Sequence, residues 1–337
     1  LNGDENVRAQ TRQRVMDVVQ EYHFQPNLAA RGLAAGRTGV FGLVIPTGVG
    51  AMFTDPFFPL LVQGAVAGCS PRDFSLMLWP VDPHIEQRTI RKILYNGLVD
   101  GVIVSSFLLD DPLVDALAHS HLPYVLVGGY PASQNASCVD VENAQGGRLA
   151  VLHLAGNGRK RIAAITGPQG TFVGKERYRG YVQGLAEAGL GLEPDWVAEG
   201  NFSEESGYTA MQVFLQCEKD SKCGRPDAVF AASDAMAEGA QRAIQEAGLR
   251  VPEDVALVGF DDLPTSSRST PPLTTIRQPI MQEGKAAAEM LIDLLEHPED
   301  GPQKLIFPVE LVVRESSGPI DLSLLSKDEP GSMTHHR

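Results

Sequence analysis

The chain has 337 residues, 43% of them hydrophobic and 21% charged, with a net charge of −14. Such a length suggests about two domains. No apolar run approaches the roughly 20 residues needed for a membrane-spanning helix, and the first twenty residues are polar and mixed in charge, so neither a membrane protein nor a secretory leader is expected and the location read from the sequence is cytoplasmic.

The charge is unevenly spread. Residues 1–38 carry five Arg against four Asp or Glu, a net of +1, which leaves −15 on the remainder. An acidic body repels nucleic acid and anionic membranes, so any DNA contact has to come from the N-terminal segment. Residues 6–26 have helical periodicity, with Val15, Val18, Val19 and Tyr22 on one face and Thr11 and arginines close by. "PNLAARGLAAGRTG" (26–39) follows. Its proline start, glycine stops at Gly36 and Gly39, and small apolar face of Ala30, Leu33 and Ala34 describe a helix too short to be stable alone in water. Gly32 loosens it further, by about 1 kcal/mol relative to Ala. It is expected to be helical only when partnered.

From Val40 the pattern changes to short apolar runs alternating with longer amphipathic segments. The runs at 39–46, 74–81, 101–106, 123–128, 161–167, 228–233 and 255–260 suit parallel strands covered on both faces. Helical patterns lie at 84–96, 143–157, 176–189, 203–217 and 234–248. Repeated strand–helix alternation implies right-handed βαβ units. The number of strands predicts an α/β protein of two doubly wound parallel-sheet lobes with a cleft between them, and ligands are expected beyond the carboxyl ends of the strands. The tail from about residue 317 is polar and predicted to be disordered.

Searches for catalytic chemistry fail. "GPQGTFVGKE" lacks the glycine spacing and the hydroxyl after Lys175 that a phosphate loop needs. No GxGxxG follows a strand, and neither HExxH nor GxSxG occurs. His119 and His121 fall in a surface-turn pattern. Cys69, Cys138, Cys217 and Cys223 form no CxxC pair and no zinc spacing, so they read as reduced structural thiols. Neither enzyme activity nor a metal or other cofactor is expected.

Several segments in fixed order resemble the LacI/GalR family of bacterial transcription regulators, the lactose-repressor type. "LNGDENVRAQTRQRVMDVVQEYHFQPNLAARGL" resembles the end of that family's DNA-binding headpiece and its hinge. "FGLVIP", "DPFF", "ERYRGY", "GNFSEESGY", "PDAVFAASDAMAEGA", "VPEDVALVGFDDLPTSS" and "PPLTTIRQP" resemble its core motifs. The similarity runs from Leu1 to about Gly318. It implies a partial all-α headpiece (1–25), a hinge helix (26–39), a periplasmic-binding-protein-like effector and dimerisation domain (40–317), and a tail (318–337). The implied lobes are 40–160 with 280–303, and 161–279 with 304–317, joined by three crossovers.

The resemblance also implies roles for particular residues. Phe57, Phe58, Arg177, Phe202, Ser233, Asp261 and Gln278 occupy its effector-pocket positions. An aromatic ring can stack on a sugar, a carboxylate can accept from two hydroxyls, and a guanidinium binds bidentately. On these grounds Arg177 is expected to face Asp261 across a polar cleft with aromatic walls, a plan suited to polyols. Asp262 reads as structural. For DNA, Thr11, Asn2 and Asn27 match backbone-contacting positions, which fix register rather than sequence. Leu33, flanked by Ala30 and Ala34, matches the leucine wedged into the minor groove. The function implied is a dimeric, effector-responsive DNA-binding regulator, expected to be a repressor with a small polar effector such as a sugar. A sugar-binding transport protein is the alternative, against which Val7 to Leu33 argues. The family's first headpiece helices should lie before Leu1, so the chain reads as truncated there. Two further departures are "AGCSPRDF" (67–74), where Gly68 and Pro71 should end the first core helix early, and a long connection at 215–227.

Overall fold

The computed structural model describes residues 7–22, 37–45, 52, 55–81, 87–95, 97–105, 108–129, 136–220 and 224–318. Helix α1 (Ala9–Glu21) comes first and has no buried residue. Val15, Val18 and Tyr22 are exposed and line, with Thr11, Arg14 and Val19, one shallow surface hollow.

The rest of the described chain forms two lobes. The first holds β1 (Val40–Ile45), α2 (Phe57–Cys69), β2 (Ser75–Pro80), α3 (Gln87–Tyr95), β3 (Gly101–Ser105), α4 (Pro112–Ala118), β4 (Tyr124–Val127) and β5 (Ser137–Val141). The chain then crosses to the second lobe. This comprises α5 (Asn143–Gly156), β6 (Ile162–Thr166), α6 (Phe172–Glu187), β7 (Val197–Glu199), α7 (Glu204–Asp220), β8 (Ala228–Ala231), α8 (Asp234–Glu246), β9 (Ala256–Asp261) and β10 (Thr274–Arg277). It returns to the first lobe for α9 (Ile280–Glu296) and β11 (Lys304–Phe307), and crosses again to β12 (Glu310–Val312).

Each sheet has six strands, in the orders β11-β5-β4-β3-β1-β2 and β12-β10-β9-β8-β6-β7. All pairings are parallel except that of β12 with β10. The central strands are buried along their length, for example Gly101–Ser105 and Ile162–Thr166, as the apolar runs require when helices cover both faces. As the sequence predicts, α2 stops at Cys69, followed by a 3₁₀ turn over Ser70–Arg72.

Two of the expected lobe boundaries need correction. The first crossover falls at residue 142, not 160. The glycines of α5 bring it against α6: a Cβ on Gly147 would lie 2.3 Å from the Arg177 carbonyl oxygen, and one on Gly180 would lie 1.9 Å from that of Ala144. Ala150, Val151 and Leu154 accordingly join the second lobe's core with Tyr181 and Phe260. The last crossover falls after 307, not 303, because Lys304–Phe307 pairs with β5 in the first sheet. Comparable backbone-to-backbone approaches join α2 to α9, through Gly64, Gly68 and Gly284, and α7 to α8, through Gly207 and Gly239. No helix among the described residues is long and apolar enough to cross a membrane.

Candidate functional site

Three strand ends of the second sheet, those of β8, β9 and β10, converge on Arg177, which projects from α6. The side chain is buried, and its Cζ sits 3.6 Å from the centroid of the Phe260 ring. Nε donates to Asn143 Oδ1 (2.8 Å), Nη1 to the Ala232 carbonyl (2.7 Å) and to Asp261 Oδ1 (3.2 Å), and Nη2 to Gln278 Oε1 (3.5 Å). Gln278 Nε2 donates to the same Asp261 oxygen at 2.6 Å. Asp261 ends β9 with φ 123°, a backbone angle uncommon for a residue with a side chain.

This arrangement revises the expected polar cleft. Arg177 and Asp261 belong to one lobe and are direct partners, not two walls facing each other. The guanidinium is held as a fixed fork, and Gln278 ties it to the crossover that leads into α9. The other predicted pocket residues lie nearby in different capacities. Phe202 is half-buried with φ 67°, its ring over the Gly167 backbone at the end of β6. Ser233 caps α8, its hydroxyl accepting from the Met236 N–H at 3.2 Å. Phe58 is buried in the first lobe's core, while Phe57 is half-buried beside it in an edge-to-face pair. Asp262 binds Arg277 and Arg314, away from Arg177. Where the lobes meet, Leu109 N–H donates to the Gly170 carbonyl at 2.9 Å and Leu108 forms a bridge with Thr171.

Asp261 is the carboxylate in contact with the guanidinium, and Asp55, Asp140 and Glu283 also feel its charge. Burial pushes Glu283, in the first turn of α9, up to about 8, with Asp140 and Asp261 adding to the rise and Arg177 opposing it. Burial raises Asp140 to about 6, against the Val141 N–H, Arg177 and Asn143, with Glu176 adding to the rise. Asp261 and Asp55 are also raised by burial and lowered by Arg177. Behind Asp261, the fully buried Asp234 accepts from Leu263 N–H, Ser266 and Thr275. Among the described residues no cluster of His, Cys, Asp and Glu could hold a metal ion.

The chain matches the family of periplasmic binding protein-like domains over residues 151–317. It is 37% identical over 319 residues to the HTH-type transcriptional regulator CelR of Thermobifida fusca, covering 94% of this chain and 92% of that protein. Among solved structures it resembles the CelR–cellobiose complex, with a TM-score of 0.78, 36% identity and coverage of 94% and 93%. It also resembles the Lac repressor dimer bound to operator and the anti-inducer ONPF, with a TM-score of 0.80, 26% identity and coverage of 94% and 92%.

The chain belongs to the LacI family of transcription regulators. As a LacI-family regulator it is not an enzyme. Its expected DNA-contacting residues fall at the N-terminus. Thr11 is exposed on α1. Asn2, Asn27, Ala30, Leu33 and Ala34 lie outside the described residues. The end of the predicted hinge segment is fastened to the first lobe: Asp100 accepts from the N–H and hydroxyl of Thr38 (2.7 and 2.9 Å) and from Gly39 N–H (2.7 Å). Arg37 donates to the Leu295 carbonyl at 3.0 Å.

Sequence reading missed Asn143, Asp140, Asp55, Glu283 and Phe260 around Arg177, and Asp100 at the hinge. Only Glu283 left a clear signal. It occupies a buried position of α9, in register with Ile280, Gly284, Ala287, Ala288 and Leu291, where helical periodicity calls for an apolar residue.

Proposed function

We propose that this protein is a dimeric, effector-responsive repressor that binds operator DNA in the cytoplasm and takes a sugar in the cleft around Arg177 and Asp261. The observation that supports this reading is a continuous route from cleft to hinge. Gln278 touches both Arg177 and Asp261, and α9 starts two residues later. Its 17 residues rise about 25 Å, and the Leu295 carbonyl near its far end holds Arg37. A ligand drawn to Arg177 and Asp261 pulls on the crossover, shifts α9 with the first lobe, and moves the anchor of the segment that carries Leu33. Ligand and DNA then communicate as a population shift, which requires the ligand to bind one lobe arrangement better than the other.

A sugar fits a buried polar fork beside aromatic rings, and the similar CelR structure holds cellobiose. The likeness to the Lac repressor dimer on its operator supports dimerisation and operator binding. The N-lobe of the proposed dimer runs over about 40–142 and 280–307, and the C-lobe over 143–277 and 310–317.

A thermal-shift panel of sugars that includes cellobiose and ribose should yield ligands that raise the melting temperature, since a ligand of the folded state stabilises it. The same ligands should alter the gel-shift affinity of the full-length protein for DNA upstream of its own gene. Arg37→Ala should keep the thermal shift and lose the effect on DNA. The proposal is wrong if no sugar stabilises the protein and no operator is bound with or without ligand.

A further inference from the structure

Two loops of the first lobe reach across to the start of α6. From the loop after β3, Leu109 N–H donates to the Gly170 carbonyl at 2.9 Å, and Leu108 bridges Thr171. From the end of β4, Gly128 and Gly129 come up against Val173 and Phe172. A Cβ on Gly129 would lie 2.5 Å from Phe172 Cδ1 and 2.6 Å from both Cβ and Cγ of that residue. One on Gly128 would lie 3.2 Å from Val173 Cγ2. Non-bonded carbon atoms sit best at about 3.5–4.0 Å, so there is no room for a side chain at 129 and the Phe172 ring rests on bare backbone. Both glycines have positive φ, 89° and 135°. Gly129 is buried and Phe172 half-buried.

This contact differs from the glycine contacts within the lobes. Those of α5 with α6, α2 with α9 and α7 with α8 each join two elements of one lobe and belong to its core. Gly129 and Phe172 belong to different lobes, so the space that a side chain at 129 needs exists only when the lobes stand apart. The second-lobe side of the contact is firmly built. Thr171 caps α6, its hydroxyl accepting from Gly174 N–H at 3.1 Å. Phe172 and Arg177 share that helix, five residues or about 7.5 Å apart along its axis. Where the Phe172 ring comes to rest therefore fixes how far Arg177 stands from the strand ends of the first lobe.

We infer that the Gly129–Phe172 contact is the stop that sets the closed position of the two lobes. Bare backbone at 129 admits the ring, and the ring on that backbone ends the approach and aligns residues 108–109 with 170–171. The stop is a property of the chain alone. Its effect on ligand rests on the cleft being the effector site, and there Gly129 and Phe172 are positioning residues, acting through the placement of Arg177.

Hydrogen exchange of the Leu109 amide follows closure, because its acceptor lies in the other lobe. In the native full chain that amide should be protected. In Gly129→Ala it should exchange about tenfold faster or more, while Val258 in β9 keeps its native rate and shows the fold intact. Adding Phe172→Ala removes the ring that the new methyl strikes, and Leu109 should return to the rate seen in Phe172→Ala alone. Calorimetric titration with cellobiose and with ribose should follow the same pattern: a sugar that binds the native protein weakens by about tenfold or more in Gly129→Ala and recovers in the double variant. A Leu109 amide that is unprotected in the native protein, or equally protected in Gly129→Ala, would overturn the inference. So would a loss that persists in the double variant, since the backbone angle at 129 rather than the ring would then be its cause. A sugar held as tightly by Gly129→Ala as by the native protein would overturn the positioning role. If exchange follows expectation and neither sugar binds, the stop stands and the sugar reading is what fails.

Discussion

Replacing Arg177 with methionine removes one cation from among buried carboxylates, and the cost should depend on pH. Methionine keeps much of the volume over Phe260 but leaves the Asn143 side-chain oxygen and the Ala232 carbonyl without the Arg177 donor, and Asp261 with Gln278 but no cation. Breaking a buried ion pair by deleting one partner costs about 3–5 kcal/mol. That figure applies where the carboxylates are ionised. Burial already raises these groups in the fold, Asp140 to about 6 and Glu283 to about 8. A raised acid binds more protons folded than unfolded, so its contribution to stability is lost as pH rises through its folded value. Without Arg177 all of these values rise further. At about pH 6 Glu283 is protonated in both proteins and adds little to the difference. By about pH 8.5 the native carboxylates ionise and those of the variant resist, so the deficit should roughly double, toward the upper end of that range. Urea unfolding followed by tryptophan fluorescence at several pH values measures it, with Trp79 reporting from the first lobe and Trp196 from the second. A deficit that stays constant or shrinks as pH rises would refute this electrostatic account and leave Arg177 a packing residue.

Other expectations concern the scaffold. His153 is buried against Ser317 and pushed down to about 4 by desolvation, so it is neutral in the fold; its contribution, up to about 3 kcal/mol, should be lost as pH falls from about 6.5 toward 4. Melting temperatures across that range should fall less steeply for His153→Asn. Gly147→Ala puts a Cβ 2.3 Å from the Arg177 carbonyl and should cost about 1–3 kcal/mol while weakening effector binding, whereas Gly191→Ala, with open space around it, should stay within about 0.5 kcal/mol. Chemical denaturation of both variants separates these outcomes. Cys69 and Cys138 are buried, with thiols pushed up to about 11, and should take up iodoacetamide at neutral pH only after unfolding. Peptide mass spectrometry would count against this if either were labelled as fast in the native protein.

All seven apolar runs form strands; in all but the edge strand β2, whose residues are exposed or half-buried, burial on both faces leaves a pattern that needs no knowledge of neighbours. The missed elements are those whose sequence serves something besides the core. In β5, "SCVDV", Asp140 breaks the apolar run because it faces Arg177, yet every residue of that strand is buried. The edge strands β7, β11 and β12 are three or four residues long, too short for periodicity to register. Within the site, the family resemblance pointed to Arg177, Asp261 and Gln278, and Asp261 also stood out as a carboxylate at a strand end. Their mutual pairing inside one lobe is a matter of helix placement by Gly147 and Gly180, which no spacing in the chain reveals. Ser233 has the composition of a ligand contact and the geometry of a cap.

The three crossovers all leave from one side of the molecule. They join β5 to α5, β10 to α9 and β11 to β12, and in each sheet the strands involved are the outermost two at the same end. Only residues 308 and 309 separate β11 from β12, and two residues span at most about 7 Å. The two sheet edges therefore cannot part, and the molecule opens like a book with its spine there. Motion grows with distance from the spine. The Leu109–Gly170 bond follows β3, three strands in from β11, a lever arm of about 14 Å. A rotation of about 10° moves that point by roughly 2.5 Å on the same arm, enough to break the hydrogen bond and unlatch the cover of the book while the network at Arg177, nearer the spine, shifts far less.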